Sequence, residues 1–124
     1  MEITKQFFMK IPASERRYAA PKDSSALARG RMNEICFVRY MQKRVGLFCA
    51  ALDTNGLYAD TKWKVDVCIM RADDIEALYQ VKSSRCEAEQ AASDLRGILH
   101  TFHGIAHRVV VVYPDDNGTW VFLK

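Results

Sequence analysis

Four consecutive valines, Val109 to Val112 in the stretch "HRVVVVYP" (107–114), constrain the fold more than any other feature of this chain. A half-exposed strand alternates apolar and polar side chains, whereas an unbroken β-branched run reads as a strand covered on both faces. A strand of that kind needs covering elements above and below the sheet. The chain offers two helical stretches for this. In the first, Ser24 to Val45, Asp23, Ser24 or Ser25 can cap the start, and Gly46 suits the residue just past the end. The second runs over 86–103 and is ended by Gly104. The expected class is therefore α/β.

Strand-like stretches fill the rest: "LFCAALD" (47–53), "KWKVDVCIM" (62–70), "IEALYQVKS" (75–83) and "TWVFLK" (119–124). "TNG" and "PDDNG" are turn signals. The predicted order is helix, three strands, helix, two strands, with no internal repeat and no domain linker. Residues 1–22 read as a basic arm punctuated by Pro12 and Pro21, and 23–124 as one domain. "ITKQFFMKI" within the arm can add an edge strand. No apolar run approaches the length of a membrane span, and the first residues lack a signal-peptide pattern, so a cytoplasmic protein is expected. The four cysteines are irregularly spaced, with no C-x-x-C pair. Each lies in or beside an apolar stretch, so buried reduced thiols are expected.

The strands on either side of "RADD" hold a less ordinary pattern. Taken as a hairpin centred on Asp73, they place Asp66 opposite Gln80 and Lys64 opposite Lys82. One face of the first strand takes Trp63, Val65, Val67 and Ile69. In the second, Ile75, Ala77, Tyr79 and Val81 share a face, and Glu76, Leu78, Gln80 and Lys82 share the other. Opposed side chains have Cβ atoms ~5 Å apart, so Asp66, Gln80 and Lys82 converge on one patch. The first helix contributes Glu34, in line with Phe37, Val38, Met41 and Val45. A carboxylate on the stripe that packs on the sheet needs a partner. Lys82 or a metal held by Asp66 can serve. Arg31 or Arg39 on the same helix can equally well pair with it.

Hard oxygen donors beside an ammonium suit phosphodiester hydrolysis with Mg²⁺ or Mn²⁺. Such ions keep several waters and sit against a substrate phosphate. Asp66 would be the anionic ligand with Gln80 beside it, and Lys82 would orient or deprotonate water or stabilise the transition state. "GRMNEICFVRYMQKRVGLF…VDVCIM…LYQVKSS" resembles the PD-(D/E)xK nuclease superfamily, over roughly Gly30 to Tyr113. It is especially similar to small members that resolve DNA junctions or act as intron-type homing endonucleases. The resemblance implies a restriction-endonuclease-like core, a central mixed β-sheet flanked by helices in the order α-β-β-β-α-β with an added C-terminal strand. It also implies a metal-dependent DNA endonuclease in which Glu34 matches the helical acid, Asp66 the metal-binding Asp, Gln80 the second acid and Lys82 the lysine. Two positions depart from the pattern: Val65 stands where the family often has Pro, and Gln80 where it usually has Asp or Glu. An amide ligates without negative charge, which lowers metal affinity and leaves a second expectation open: a module of the same fold that binds nucleic acid or a protein partner with little or no catalysis.

Other features distribute around this site. Residues 1–46 hold ten Lys/Arg against four Asp/Glu, and 47–124 hold eight against eleven, within a net charge of +3. The basic half is expected to face phosphates through Arg16, Arg17, Lys22, Arg29 and Arg31. Ser83 and Ser84 lead into the second helix, capping it or touching a phosphate. Cutting both strands of a duplex needs two active sites, so a homodimer or larger homo-oligomer is expected, with "FFMKI" and "WVFLK" as interface segments. The bland alternatives are an edge strand kept soluble by Gln80 and Lys82, a solvent-facing Asp66, and a small-molecule enzyme or structural protein of the same class. His100, His103 and His107 lack a fourth ligand at zinc spacing and are read as helix-end histidines.

Overall fold

The computed structural model describes residues 9, 10, 24–46, 49–53, 64–72, 74–98 and 109–123. Two helices and five strands follow one another: α1 (Ser24–Val45), β1 (Ala50–Asp53), β2 (Val67–Arg71), β3 (Asp74–Val81), α2 (Arg85–Ile98), β4 (Val109–Pro114) and β5 (Trp120–Leu123). The strands form one mixed sheet in the order β1-β2-β3-β4-β5. β1 pairs antiparallel with β2 and β2 with β3, β4 is parallel to β3, and β5 is antiparallel to β4. The parallel step requires a crossover, and α2 lies within it. The fold is therefore α/β with the predicted order of elements. Among the described residues no helix is long and apolar enough to cross a membrane.

The valine run behaves as its composition requires. Val109, Val111 and Tyr113 enter a core cluster with Ala88, Ala91 and Leu95 of α2. Val110 and Val112 pack on the opposite side, with Phe37 and Met41 of α1. Each helix thus covers one face. α1 stops at Val45 because Gly46 takes a left-handed conformation (φ +74°), which ends the helix without a Cβ clash. The Gln42 side chain then ties the helix end to β1: its Nε2 donates to the carbonyls of Gly46 and Cys49, and its Oε1 accepts from the Ala51 N–H at 2.8 Å. At the far end of the sheet, Asp115 Oδ1 accepts from the N–H groups of Asn117 and Thr119, and Gly118 (φ +78°) completes the "PDDNG" turn.

Strand parity departs from expectation in two places. Pairing follows the predicted register at Val67↔Tyr79, Cys68↔Leu78 and Ile69↔Ala77, then slips to Met70↔Ile75 and Arg71↔Asp74. The extra residue in β3 is Glu76, a bulge that turns Ile75 to the α2 side, away from Ala77, Tyr79 and Val81. Glu76 has its own ties there, to Arg71 Nε at 2.9 Å and to the Cys49 thiol at 3.3 Å. Burial and the hydrogen bond to this carboxylate push the Cys49 thiol up from its ordinary pKa. The second departure is Val65, which joins the α2-side cluster instead of sharing a face with Val67. It follows Lys64, whose backbone is left-handed (φ +56°) and breaks the alternation. Trp63 lies outside the described residues. Two cysteines also depart from the buried reading: Cys49 and Cys68 are buried, whereas Cys36 and Cys86 are exposed on helix surfaces.

Candidate functional site

Asp66 sits where β2 and β3 open apart. Its N–H donates to the Tyr79 carbonyl at 2.8 Å, carrying the Val67↔Tyr79 pairing one residue further and bringing it beside Gln80. Its Oδ2 accepts from the Val81 N–H, also at 2.8 Å. A carboxylate that takes a backbone donor of the neighbouring strand is held rigidly, with both strands supporting it. Beyond β3, the Lys82 N–H donates to the Val112 carbonyl at 2.8 Å, so the parallel ladder positions Lys82 from its backbone and leaves the side chain out of the sheet bonding.

Gln80 is the unusual member. It is only 8% exposed, and its Oε1 is fully buried with no hydrogen-bond partner among the described residues. Buried acceptors are nearly always satisfied, and leaving one empty costs roughly 1–3 kcal/mol. The strand could hold an apolar residue here at no such cost.

Asp66, Gln80, Lys82 and Glu34 all line one cleft of about 800 Å³. Its walls are the start of α1's buried stripe, the β2–β3 opening and the face of α2 carrying Glu87, Gln90 and Asp94. Of the partners open to Glu34, the structure shows the alternative on its own helix, Arg31. Glu34 Oε2 accepts from Arg31 Nη1 at 3.1 Å, and Arg31 also forms an ion pair with Asp53 at the end of β1. Partial burial works against the Arg31 charge, but the hydrogen bonds it donates to Glu34 and Asp53 outweigh this and raise its pKa. This guanidinium, expected to meet phosphate, is committed to two carboxylates of its own chain. Arg29 is exposed on the same helix. Arg16, Arg17 and Lys22 lie outside the described residues, as do His100, His103 and His107, and as does "FFMKI" apart from Met9 and Lys10.

Ser83 and Ser84 both act at the start of α2. Ser84 Oγ accepts from the Glu87 N–H at 3.3 Å, and Glu87 Oε2 accepts from the Ser83 N–H at 3.2 Å. This is a capping-box arrangement displaced by one residue, and it bears out the capping role expected of these serines. Ser83 Oγ also accepts from Asn33 Nδ2 of α1 at 3.0 Å, tying α1 to the residues that lead into α2. Replacing Ser84 with Ala is expected to lower stability by about 1 kcal/mol. Urea unfolding reads this as a lower midpoint at unchanged m. An unmoved midpoint would mean that the cap contributes nothing.

Lys64, set opposite Lys82 by the expected hairpin but given no role there, also lines the cleft. Among the described residues, no three His, Cys, Asp or Glu side chains stand close enough to form a metal-holding group. A cation here would therefore rest on Asp66 and the Gln80 amide oxygen, with water and substrate completing its shell. Comparison with protein-family models, with curated proteins and with solved structures finds no match for this chain.

Proposed function

We propose that this protein is a divalent-metal-dependent DNA endonuclease built on a restriction-endonuclease-like core. The observation that carries the proposal is the buried, unpartnered Gln80 Oε1 beside Asp66, in the same cleft as Lys82 and Glu34. An acceptor held empty at that cost suits a ligand that brings positive charge. The element order supports the same reading: three antiparallel strands after a helix, then a crossover helix and a parallel strand.

The residues fit a hard cation of the Mg²⁺ or Mn²⁺ type. Asp66 supplies charge and Gln80 a neutral oxygen, the sparse protein share that Mg²⁺ accepts when a substrate phosphate and water complete its shell. Bound there, the cation would acidify water and neutralise charge on the phosphate. Lys82 orients the attacking water and sets its ammonium against the charge that grows on the phosphate oxygens. Asp66 holds its place through the Val81 N–H, and Glu34, neutralised by Arg31, keeps that end of the cleft polar without adding a free charge.

A second reading, a nucleic-acid-binding module with little or no catalysis, is favoured by the amide at position 80 and by Glu34's commitment to Arg31. Incubation of the pure protein with plasmid, cruciform and single-stranded DNA in Mg²⁺ or Mn²⁺ decides between them when paired with Gln80→Glu. The added carboxylate is expected to tighten Mn²⁺ binding by at least about tenfold. A full charge against a dication in a partly screened site exceeds the 1.4 kcal/mol which that factor represents. Cleavage should rise with it. If wild type and variant both bind DNA and neither cuts in any metal, the module reading stands. If neither binds, both readings fall.

A further inference from the structure

We infer that Lys64 is a substrate-positioning residue that grips the phosphate next to the one cut. The inference rests on the nuclease or nucleic-acid-binding reading of the cleft. Its first support is the backbone. Lys64 has φ +56°, a left-handed conformation that L residues avoid and that Gly, Asn and Asp adopt most readily. A lysine there costs stability that a glycine would not, and such outliers cluster at active sites and ligand clamps. Ala72 (φ +53°), in the β2–β3 turn, shares the conformation but does not line the cleft.

The second support is what the kink accomplishes. Immediately after it, Val65 turns into the α2-side core and is fully buried, while Asp66 is tied to the backbone at Tyr79 and Val81. Lys64 is thus anchored from its C-terminal side. It is exposed yet lines the cleft, and among the described residues it makes no ion pair. Lys64 and Lys82 both line the cleft that holds Asp66 and Gln80. Two ammonium groups therefore serve one cleft. Glu87 and Asp94 face the same cleft from α2 and repel a polyanion, so a cation at its mouth has work that Lys82 alone does not cover. A phosphodiester chain presents a regular series of anions to such a pair, Lys82 meeting the reacting phosphate and Lys64 its neighbour.

Three variants, Lys64→Ala, Lys64→Arg and Lys64→Gly, test this by DNA-binding titration over a range of salt, alongside thermal melting. Lys64→Ala is expected to weaken binding about fivefold and to reduce the salt slope by about one, while the cleavage rate at saturating DNA stays within about twofold. Lys64→Arg should bind like wild type. Lys64→Gly should bind as weakly as the alanine variant yet melt at the same or a higher temperature, since glycine takes the positive φ without strain. Wild-type DNA binding together with unchanged affinity and slope in Lys64→Ala overturns this inference alone, as does an arginine variant as weak as alanine. Absence of DNA binding by the wild type overturns the reading of the cleft and this inference with it.

Discussion

Replacing Lys82 with Ala should reduce single-turnover DNA cleavage by about 10²- to 10⁴-fold, the span typical of a positioned group that assists proton transfer or charge stabilisation. Stability should change little. The sheet bond at this position is made by the Lys82 backbone N–H to Val112, which alanine keeps, and the side chain is half-buried at the cleft. DNA affinity should fall only modestly, because Lys64 remains. Asp66→Asn is the companion variant: its amide oxygen can still accept from the Val81 N–H, so the fold is retained while the charge is lost. Metal binding measured by calorimetry should weaken in Asp66→Asn and stay near wild type in Lys82→Ala. Cleavage that persists in both variants removes these residues from the chemistry.

Phe37→Ala should be the most damaging single change to the fold. Phe37 is fully buried and touches four rings: Trp120 at 4.9 Å and Tyr79 at 5.1 Å between centroids, with Phe122 and Tyr40 near 6 Å. Large-to-small truncation of a buried aromatic costs about 3–5 kcal/mol. The two close edge-on contacts carry further energy beyond area burial. Against a total stability of about 5–15 kcal/mol, the loss should lower the melting temperature by more than about 10 °C or abolish the cooperative transition. Phe122→Ser, at the exposed margin of the same cluster (40% exposed), should cost far less. A Phe37→Ala protein that melts like wild type would mean that α1 is held to the sheet by something other than this cluster.

The cleft was legible as far as side-chain periodicity reached. Two residues per repeat along a strand place Asp66, Gln80 and Lys82 together, and the helical stripe brings Glu34 towards them; all four line the same cleft. What periodicity could not supply was the partner of each group. Glu34 was open to Lys82, a metal or a helical arginine, and Asp53 on β1, distant in sequence from both, helps hold Arg31 in place for it. Cys86 was misjudged for a related reason. It was expected to be buried, but the stripe of α2 that meets the sheet is Ala88, Ala91 and Leu95, and Cys86, between Arg85 and Glu87, lies off it.

By itself the sequence determined the order of the elements and the bounds of α1, because the signals for these are local. β2, by contrast, begins only at Val67, and the predicted end of the second helix at 103 lies outside the described residues. The Ser24–Val45 periodicity with Gly46 after it defines α1, the valine run demands a strand covered twice, and "PDDNG" sets the last hairpin. Local patterns also gave β2 and β3 their register next to the site, as far as Ile69↔Ala77. Only the tertiary structure decided which face Val65 and Ile75 join, since a left-handed residue and a bulge each reverse the alternation from which faces are read. Nor could any local pattern show that Gln80 Oε1 is buried without a partner. Burial and satisfaction of a polar atom depend on every element packed around it, and the groups that close over Gln80 come from segments far apart in the chain.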